Sequence, residues 1–234
     1  IYYYRHVLII KLYTVIYSLK CRYLTGSHPF LHIAPMKVEY MYLKPEITLV
    51  HGILNDDEIE HLKHTAKTHK VNLTITYVFY NLVSKISALT GLNMDYAEYL
   101  QVVNYGIGGY QDVHVDYNEE KCTFSSATFL FIYVSTFLQL TDVDSGGATV
   151  FHKLGVNVRP VKGAALFWRN LHPSGQGDPA TEHGACPVIH GYKWVANAWI
   201  NQIGNEFSRP CTLKYQKNAI IYHIHHLVRQ KPKH

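Results

Sequence analysis

A mainly β fold, an antiparallel sandwich or barrel with helical support at its N-terminal side, is predicted by three features of this 234-residue sequence. From Tyr99 onward the chain breaks into short apolar runs, "YLQVVNY", "ATFLFIYV", "GGATVF", "GAALFW" and "KWVANAWI", punctuated by glycine and with no helical pattern between them. Runs of that length cross a core once and turn back, as strands of a sandwich or barrel do. Tyrosine is abundant, at 19 residues, and its flat ring suits a pleated surface better than a helix. The helical signatures fall upstream of this β-rich part.

The first helix starts in "LNDDEIEHL". Asn55 can cap it, Glu58 stands three residues later as the capping-box partner, and Leu54 and Ile59 are placed for a hydrophobic staple. Ile59, Leu62 and Ala66 mark its buried stripe. A second helix is predicted over "NLVSKISALTG", with Leu82, Ile86 and Leu89 on one face and Gly91 as its stop. Both are read as supports laid against a sheet.

With 47% hydrophobic and 17% charged residues, the composition is that of one globular core. The chain begins at Ile1 and is read as a fragment or partial gene product, with residues 1–20 an N-terminal segment of uncertain origin. Arg5, His6 and Lys11 interrupt that segment, so it lacks the roughly 18 apolar residues of a membrane span. The net charge of +5 is mild and gathers near the C-terminus, which reads as a solvated basic tail over 214–234 and not as a nucleic-acid surface. His223, His225 and His226 belong to that tail. Four cysteines are too few for a disulfide scaffold.

The chemistry is concentrated in "YGIGGYQDVHVDY", residues 105–117. Residues i and i+2 of a strand share a face, so His114 and Asp116 would present an imidazole beside a carboxylate. Two donors leave a divalent cation under-coordinated, and the candidate third ligand is His183 in "TEHGACPVIHGYKWVANAWI". His152, His172 and His190 are less suited and read as surface or structural. Two histidines and one carboxylate on one side of a metal leave positions open opposite them, which points to non-haem Fe(II) oxygenases over zinc hydrolases. Lys193 lies on the run that follows His183. Burying a lysine is costly unless an anion meets it, and a dicarboxylate that also chelates the metal would be that anion.

These residues, set among "LQVVNYGIGG", "GGATVF", "KGAALFW", "HGACPVIHGYKWVANAWI" and "EFSRPCTL", resemble the catalytic domain of the collagen prolyl 4-hydroxylase α-subunit family. The resemblance covers roughly residues 21–213 and is densest over 98–117 and 142–213. It implies a double-stranded β-helix (jelly-roll) that uses Fe(II), 2-oxoglutarate, O2 and ascorbate to hydroxylate peptidyl proline at C4, with succinate as the second product. It also implies metal ligands His114, Asp116 and His183, and Lys193 on the distal carboxylate of 2-oxoglutarate. Tyr105 and Thr149 would be hydrogen-bonding neighbours of that cosubstrate, and Trp199 would stand near the substrate groove. Cys186 and Cys211 match disulfide-forming positions, which implies an oxidising compartment such as the endoplasmic reticulum lumen. The "NLT" sequon at Asn72 agrees with that. A proline-rich or procollagen peptide is the implied substrate, and protein disulfide isomerase the implied partner subunit.

The chain departs from the family in four places. Tyr110 stands one position early, with Gln111 where the family has tyrosine, and a one-residue shift turns a strand side chain to the other face. The stretch "KTHKVNLTITYVFYNLVSK" is short, so sheet and one wall of the peptide groove are expected to be missing. "YVSTFLQLTDVDSGG" is long, so a bulging loop or disturbed register is expected near Thr136. Between Asp116 and Ala127 the chain is shortened, with Ser125 in place of an arginine. Two further readings therefore stay open: an impaired fragment or paralogue that keeps the metal site, and another 2-oxoglutarate oxygenase acting on a different peptide.

Overall fold

A computed structural model describes residues 21–25, 28–68, 73–117 and 132–205. In chain order these form strands β1 (Cys21–Leu24), β2 (Met36–Leu43) and β3 (Glu46–Val50), with the short helix α1 (Pro29–Ile33) after β1. Helices α2 (Asp56–Thr68) and α3 (Leu73–Thr90) follow. The remaining strands are β4 (Gln101–Tyr105), β5 (Gln111–His114), β6 (Ile132–Gln139), β7 (Ser145–Gly146), β8 (Thr149–Phe151), β9 (Val156–Val158), β10 (Ala165–Arg169), β11 (His183–Ala185), β12 (Val188–His190) and β13 (Lys193–Asn201).

Two antiparallel sheets make the body. The larger has seven strands in the order β1-β2-β3-β10-β6-β13-β4, and the smaller has four in the order β5-β11-β8-β9. Non-consecutive neighbours on both sheets are the mark of the jelly-roll expected from the sequence. The central strands β3, β10, β6 and β13 are buried on both faces, which is why they read as nearly unbroken apolar runs. Alternation along each strand sorts the side chains. Val50, Leu138, Phe167, Ala196 and Ile200 pack outward under α2 and α3, against Ile59, Leu62, Leu82 and Ile86. Ile47, Leu49, Phe137, Leu166 and Trp168 pack inward against Phe151 and Val158 of the small sheet. On β13 the same alternation turns Lys193, Val195, Asn197 and Trp199 inward.

The helix starts follow the local chemistry. Glu58 N–H donates to Asn55 Oδ1 (2.8 Å), and Asn55 N–H donates to Glu58 Oε2 (3.0 Å), the reciprocal pair of a capping box. Glu58 is itself buried, and Lys85 of α3 meets both of its oxygens at 2.7 and 2.9 Å. One carboxylate thus caps α2 and ties it to α3. Gly91 ends α3 with φ +68°, its N–H donating to Ser87 O, a left-handed stop in which a Cβ would be strained.

Three expectations change. The N-terminal side is not only helical: β1, β2 and β3 extend the large sheet over "CRYL", "MKVEYMYL" and "EITLV". The predicted run "ATFLFIYV" begins outside the described residues, and β6 continues past it through "STFLQ". Thr136 itself lies in continuous register, with β10 from Val134 to Leu138 and with β13 from Val134 to Gln139, and the register shift of this stretch comes at its start, where Ile200 and Asn201 of β13 pair with Val134 and Ile132. Ser125, Asn72, Cys211 and the histidines of the tail lie outside the described residues.

Candidate functional site

His114 is the last residue of β5, and its Cα partner across the antiparallel pair is His183, the first residue of β11. Side chains at directly paired positions share a face and lie close, and the two imidazole centroids are 4.4 Å apart. Asp116 is not on the strand as expected but in the bend just after it. From there its carboxylate comes within 3.4 Å of His114 Nε2 and 3.8 Å of His183 Nε2. One donor atom from each of the three residues lies within 4.8 Å of the others. Among the described residues no other group of His, Cys, Asp and Glu side chains meets that condition.

Each histidine is oriented from behind. His114 Nδ1 meets Asp112 O at 2.7 Å and His183 Nδ1 meets Thr181 O at 3.0 Å. A backbone carbonyl requires N–H on Nδ1, which leaves each Nε2 with a lone pair facing the cluster. The ring of His183 is walled by Trp168 (4.7 Å), Phe151 (5.5 Å) and Phe137 (5.9 Å). Its Nε2 is buried with no hydrogen-bond partner. A buried ring nitrogen without a donor is costly, and a cation at this point would satisfy it. With two nitrogens and one carboxylate on one side, the donor set fits a divalent iron that keeps open positions.

Electrostatics follow burial. Desolvation pushes the Asp116 carboxyl up, yet His114, His183 and Ser135 together hold it below the ordinary carboxylate value. In its protonated form His114 can donate from Nε2 to Asp116, and that hydrogen bond raises its pKa. Burial among the aromatic rings lowers His183. Desolvation also raises the Glu98 carboxyl, and the nearby charge of Asp116 adds to the shift.

A layer of supporting residues escaped sequence reasoning. Ser135 O–H donates to Asp116 Oδ2, and Asn170 Nδ2–H donates to Ser135 Oγ at 2.7 Å. Trp199 Nε1–H donates to the same Asp116 oxygen at 3.3 Å. Trp199, expected beside the substrate groove, therefore also grips the carboxylate. Ser135 is the cross-strand partner of both Trp168 and Trp199, so register alone brings it here. Nothing local in "YVSTF" signals it.

The cluster opens into a cavity of about 310 Å3 whose wall includes Tyr105, Gln111, Lys193, Asn197 and Trp199. Lys193 is 1% exposed, and burial lowers its ammonium to about 8. Its Nζ lies 5.6 Å from the ring centroid of Tyr105, its Cα partner on β4. Gly147 of "GGATVF" runs alongside, and a Cβ there would lie 3.5 Å from Lys193 Cδ. Thr149 Oγ1 is buried without a partner. Tyr110 is 57% exposed while Gln111 faces the cavity, so the one-residue shift has turned the tyrosine out. The competing histidines pair with carboxylates elsewhere: His152 with Glu182, His172 with Asp178 and His190 with Asp144. Among the described residues Cys186 forms no disulfide, and its expected mate Cys211 lies outside them. A hollow of about 330 Å3 on the outer face of the large sheet, between Tyr40, Thr48 and Arg169, carries no His–carboxylate cluster.

Residues 100–201 match the 2OG-Fe(II) oxygenase superfamily. The chain is 39% identical over 226 residues to the prolyl 4-hydroxylase subunit alpha-3 of Rattus norvegicus, an alignment covering 83% of this chain and 40% of that protein. To the human prolyl 4-hydroxylase subunit alpha-1 it is 40% identical over 231 residues, covering 84% and 42%. The chain thus spans less than half the length of these relatives. In fold it is similar to the viral collagen prolyl hydroxylase of Paramecium Bursaria Chlorella virus-1, with a TM-score of 0.56 at 22% identity over 65% of this chain and 94% of that one. The matched segment encloses the whole His–Asp–His cluster and Lys193, and the chain belongs to the 2OG-Fe(II) oxygenase superfamily, as a relative of the prolyl 4-hydroxylase α-subunits.

Proposed function

We propose that residues 21–213 form a 2-oxoglutarate-dependent dioxygenase domain that hydroxylates peptidyl proline at C4, with a procollagen-like or other proline-rich peptide as substrate. The observation that carries this reading is one cavity with a His–Asp–His cluster at one end and an unpaired buried lysine at the other. A dicarboxylate that chelates at one end and meets a cation at the other has the chemistry this cavity lacks.

In this reading His114, Asp116 and His183 hold Fe(II). When bound, the iron supplies O2 activation coupled to decarboxylation of 2-oxoglutarate, one oxygen atom going to succinate and the other to the prolyl C4–H bond, with CO2 released. The protein's own part is orientation and exclusion of water. Lys193 fixes the distal carboxylate, while Tyr105 and Thr149 offer hydroxyls beside it. Ser135, Asn170 and Trp199 hold Asp116 in one rotamer, so the open positions keep one direction. Phe137, Phe151 and Trp168 keep the His183 side dry. Ascorbate is the reductant this family resemblance implies.

The deciding experiment supplies the purified chain with Fe(II), ascorbate and 2-oxoglutarate, with and without a proline-rich peptide. Succinate formed in step with peptide 4-hydroxyproline is expected. No succinate under either condition would overturn the reading. The exposed Tyr110 and inward Gln111 favour a second outcome, in which 2-oxoglutarate is consumed without peptide stimulation, as in a paralogue with an intact metal site and an altered groove. Location in the endoplasmic reticulum lumen, pairing with protein disulfide isomerase and a Cys186–Cys211 disulfide form one consistent extension. Intact mass before and after reduction tests the disulfide directly.

A further inference from the structure

Asn197 is a buried carboxamide on the cavity wall, 6% exposed, and its Oδ1 has no hydrogen-bond partner. Buried amides are nearly always paired, and each lone group carries a cost unless something outside the chain meets it. The side chain has two N–H donors and one acceptor to offer.

Register locates it. The inward residues of β13 are Lys193, Val195, Asn197 and Trp199, successive pairs being about 6.6 Å apart along a strand. Trp199 and its cross-strand partner Ser135 both contact Asp116. Asn197 is one step back, paired with Phe137, whose ring lies 5.9 Å from that of His183. Lys193 is two steps further. A 2-oxo acid stretched from Lys193 to the metal cluster would pass Val195 and bring its C1 carboxylate beside Asn197.

We propose that Asn197 is a cosubstrate-binding residue, its Nδ2–H donating to the metal-proximal C1 carboxylate of the 2-oxo acid. This rests on the 2-oxoglutarate reading above and adds a contact at the end of the ligand opposite Lys193. A half-turn of the carboxamide exchanges Oδ1 with Nδ2 and brings the donor to the unpartnered position. The two ends are then read by different residues: Lys193 recognises the second carboxylate, and Asn197 recognises the group shared by all 2-oxo acids.

The test is isothermal titration of the Mn(II)-loaded full chain with 2-oxoglutarate and with 2-oxobutanoate, which lacks the distal carboxylate. Asn197→Leu, which keeps the branched outline and removes both polar atoms, is expected to weaken both ligands by a similar factor, about ten- to a hundredfold for a hydrogen bond to a charged group. Lys193→Ala weakens the dicarboxylate alone. Mn(II) affinity without 2-oxo acid and the melting temperature of the ligand-free chain stay unchanged or rise in Asn197→Leu, because an unpaired polar group has been removed. Asn197→Thr, which keeps a donor, binds both acids more tightly than Asn197→Leu. Unchanged affinity for both acids, a loss confined to 2-oxoglutarate, or a loss of Mn(II) affinity would each overturn the assignment. If Lys193→Ala also leaves 2-oxoglutarate affinity unchanged, the cosubstrate reading itself fails. If Lys193→Ala weakens it and Asn197→Leu does not, only the Asn197 contact fails.

Discussion

Lys193 reaches the cavity with almost no exposure and no carboxylate beside it, so its titration reports what the cavity is for. Burial lowers its ammonium from 10.5 to about 8. Below pH 8 both folded and unfolded chains hold the proton, and the fold bears the full desolvation penalty. Between about pH 8 and 10.5 the unfolded chain holds a proton that the folded one has shed, so stability rises with pH across that window. Thermal melts of the ligand-free chain from pH 7.5 to 10 are expected to show that rise, and Lys193→Met to abolish it. Binding has the opposite dependence, because 2-oxoglutarate requires the ammonium: its affinity falls above pH 8 as binding must draw a proton from solvent. Lys193→Ala leaves a buried carboxylate unpaired, a loss of roughly 3–5 kcal/mol in cosubstrate binding with metal affinity spared. A titration that returned the wild-type dissociation constant would remove Lys193 from the role. Ser135 acts one shell further out. Ser135→Ala frees the Asp116 carboxylate from the hydroxyl that orients it, and a ten- to hundredfold weaker Mn(II) affinity is expected, about what losing such a support costs.

Among the elements, β5 and β11 matter most, because their register alone sets His114 opposite His183. Their ladder shifts between His183 and Ala185, so the three-residue pairing is held partly by its neighbours. Gly184 helps here, since a Cβ would come within 3.1 Å of Gln111 O on β5. Gly184→Val is expected to push β5 away and lower Mn(II) affinity while the helical far-ultraviolet signal is kept. At the other side of the large sheet, α2 depends on its cap. Asn55→Ala removes one half of the capping box and should cost about 1 kcal/mol, read as a fall in denaturation midpoint without change in metal affinity. A change in metal affinity in that variant would mean the helices do more than support the sheet.

In the whole molecule, the site is a seam between two sheets. His114 and His183 come from the small sheet, Ser135 and Trp199 from the large one, and Asp116 from the bend that lies between them. A cation at the cluster therefore fastens one sheet to the other. Mn(II) with 2-oxoglutarate, each at a hundredfold excess over its dissociation constant, should raise stability by roughly 3 kcal/mol per ligand by mass action, and chelation should reverse it. A melting temperature indifferent to both would argue against a preformed seam.

The pattern of short runs after Tyr99 determined that the protein is mainly β, and the capping residues Asn55 and Glu58 determined where α2 begins. Both are local: alternation and caps are written within a few residues of where they act. His114, Asp116, His183 and Lys193 were named from the ordered blocks that resemble the prolyl 4-hydroxylase α-subunits, and the structure brings the first three within 4.8 Å of one another. The tertiary structure alone decided the rest. The inward row of Asn197, Ser135, Phe137 and Trp168 depends on pairing among β6, β10 and β13, strands that are distant in the chain, and no single segment encodes which of its residues will face another. The strands β1 to β3 likewise became strands because an edge of the large sheet was there to pair with. Chemistry that resides in residue type is readable in a sequence, whereas chemistry that resides in register exists only once the sheets have formed.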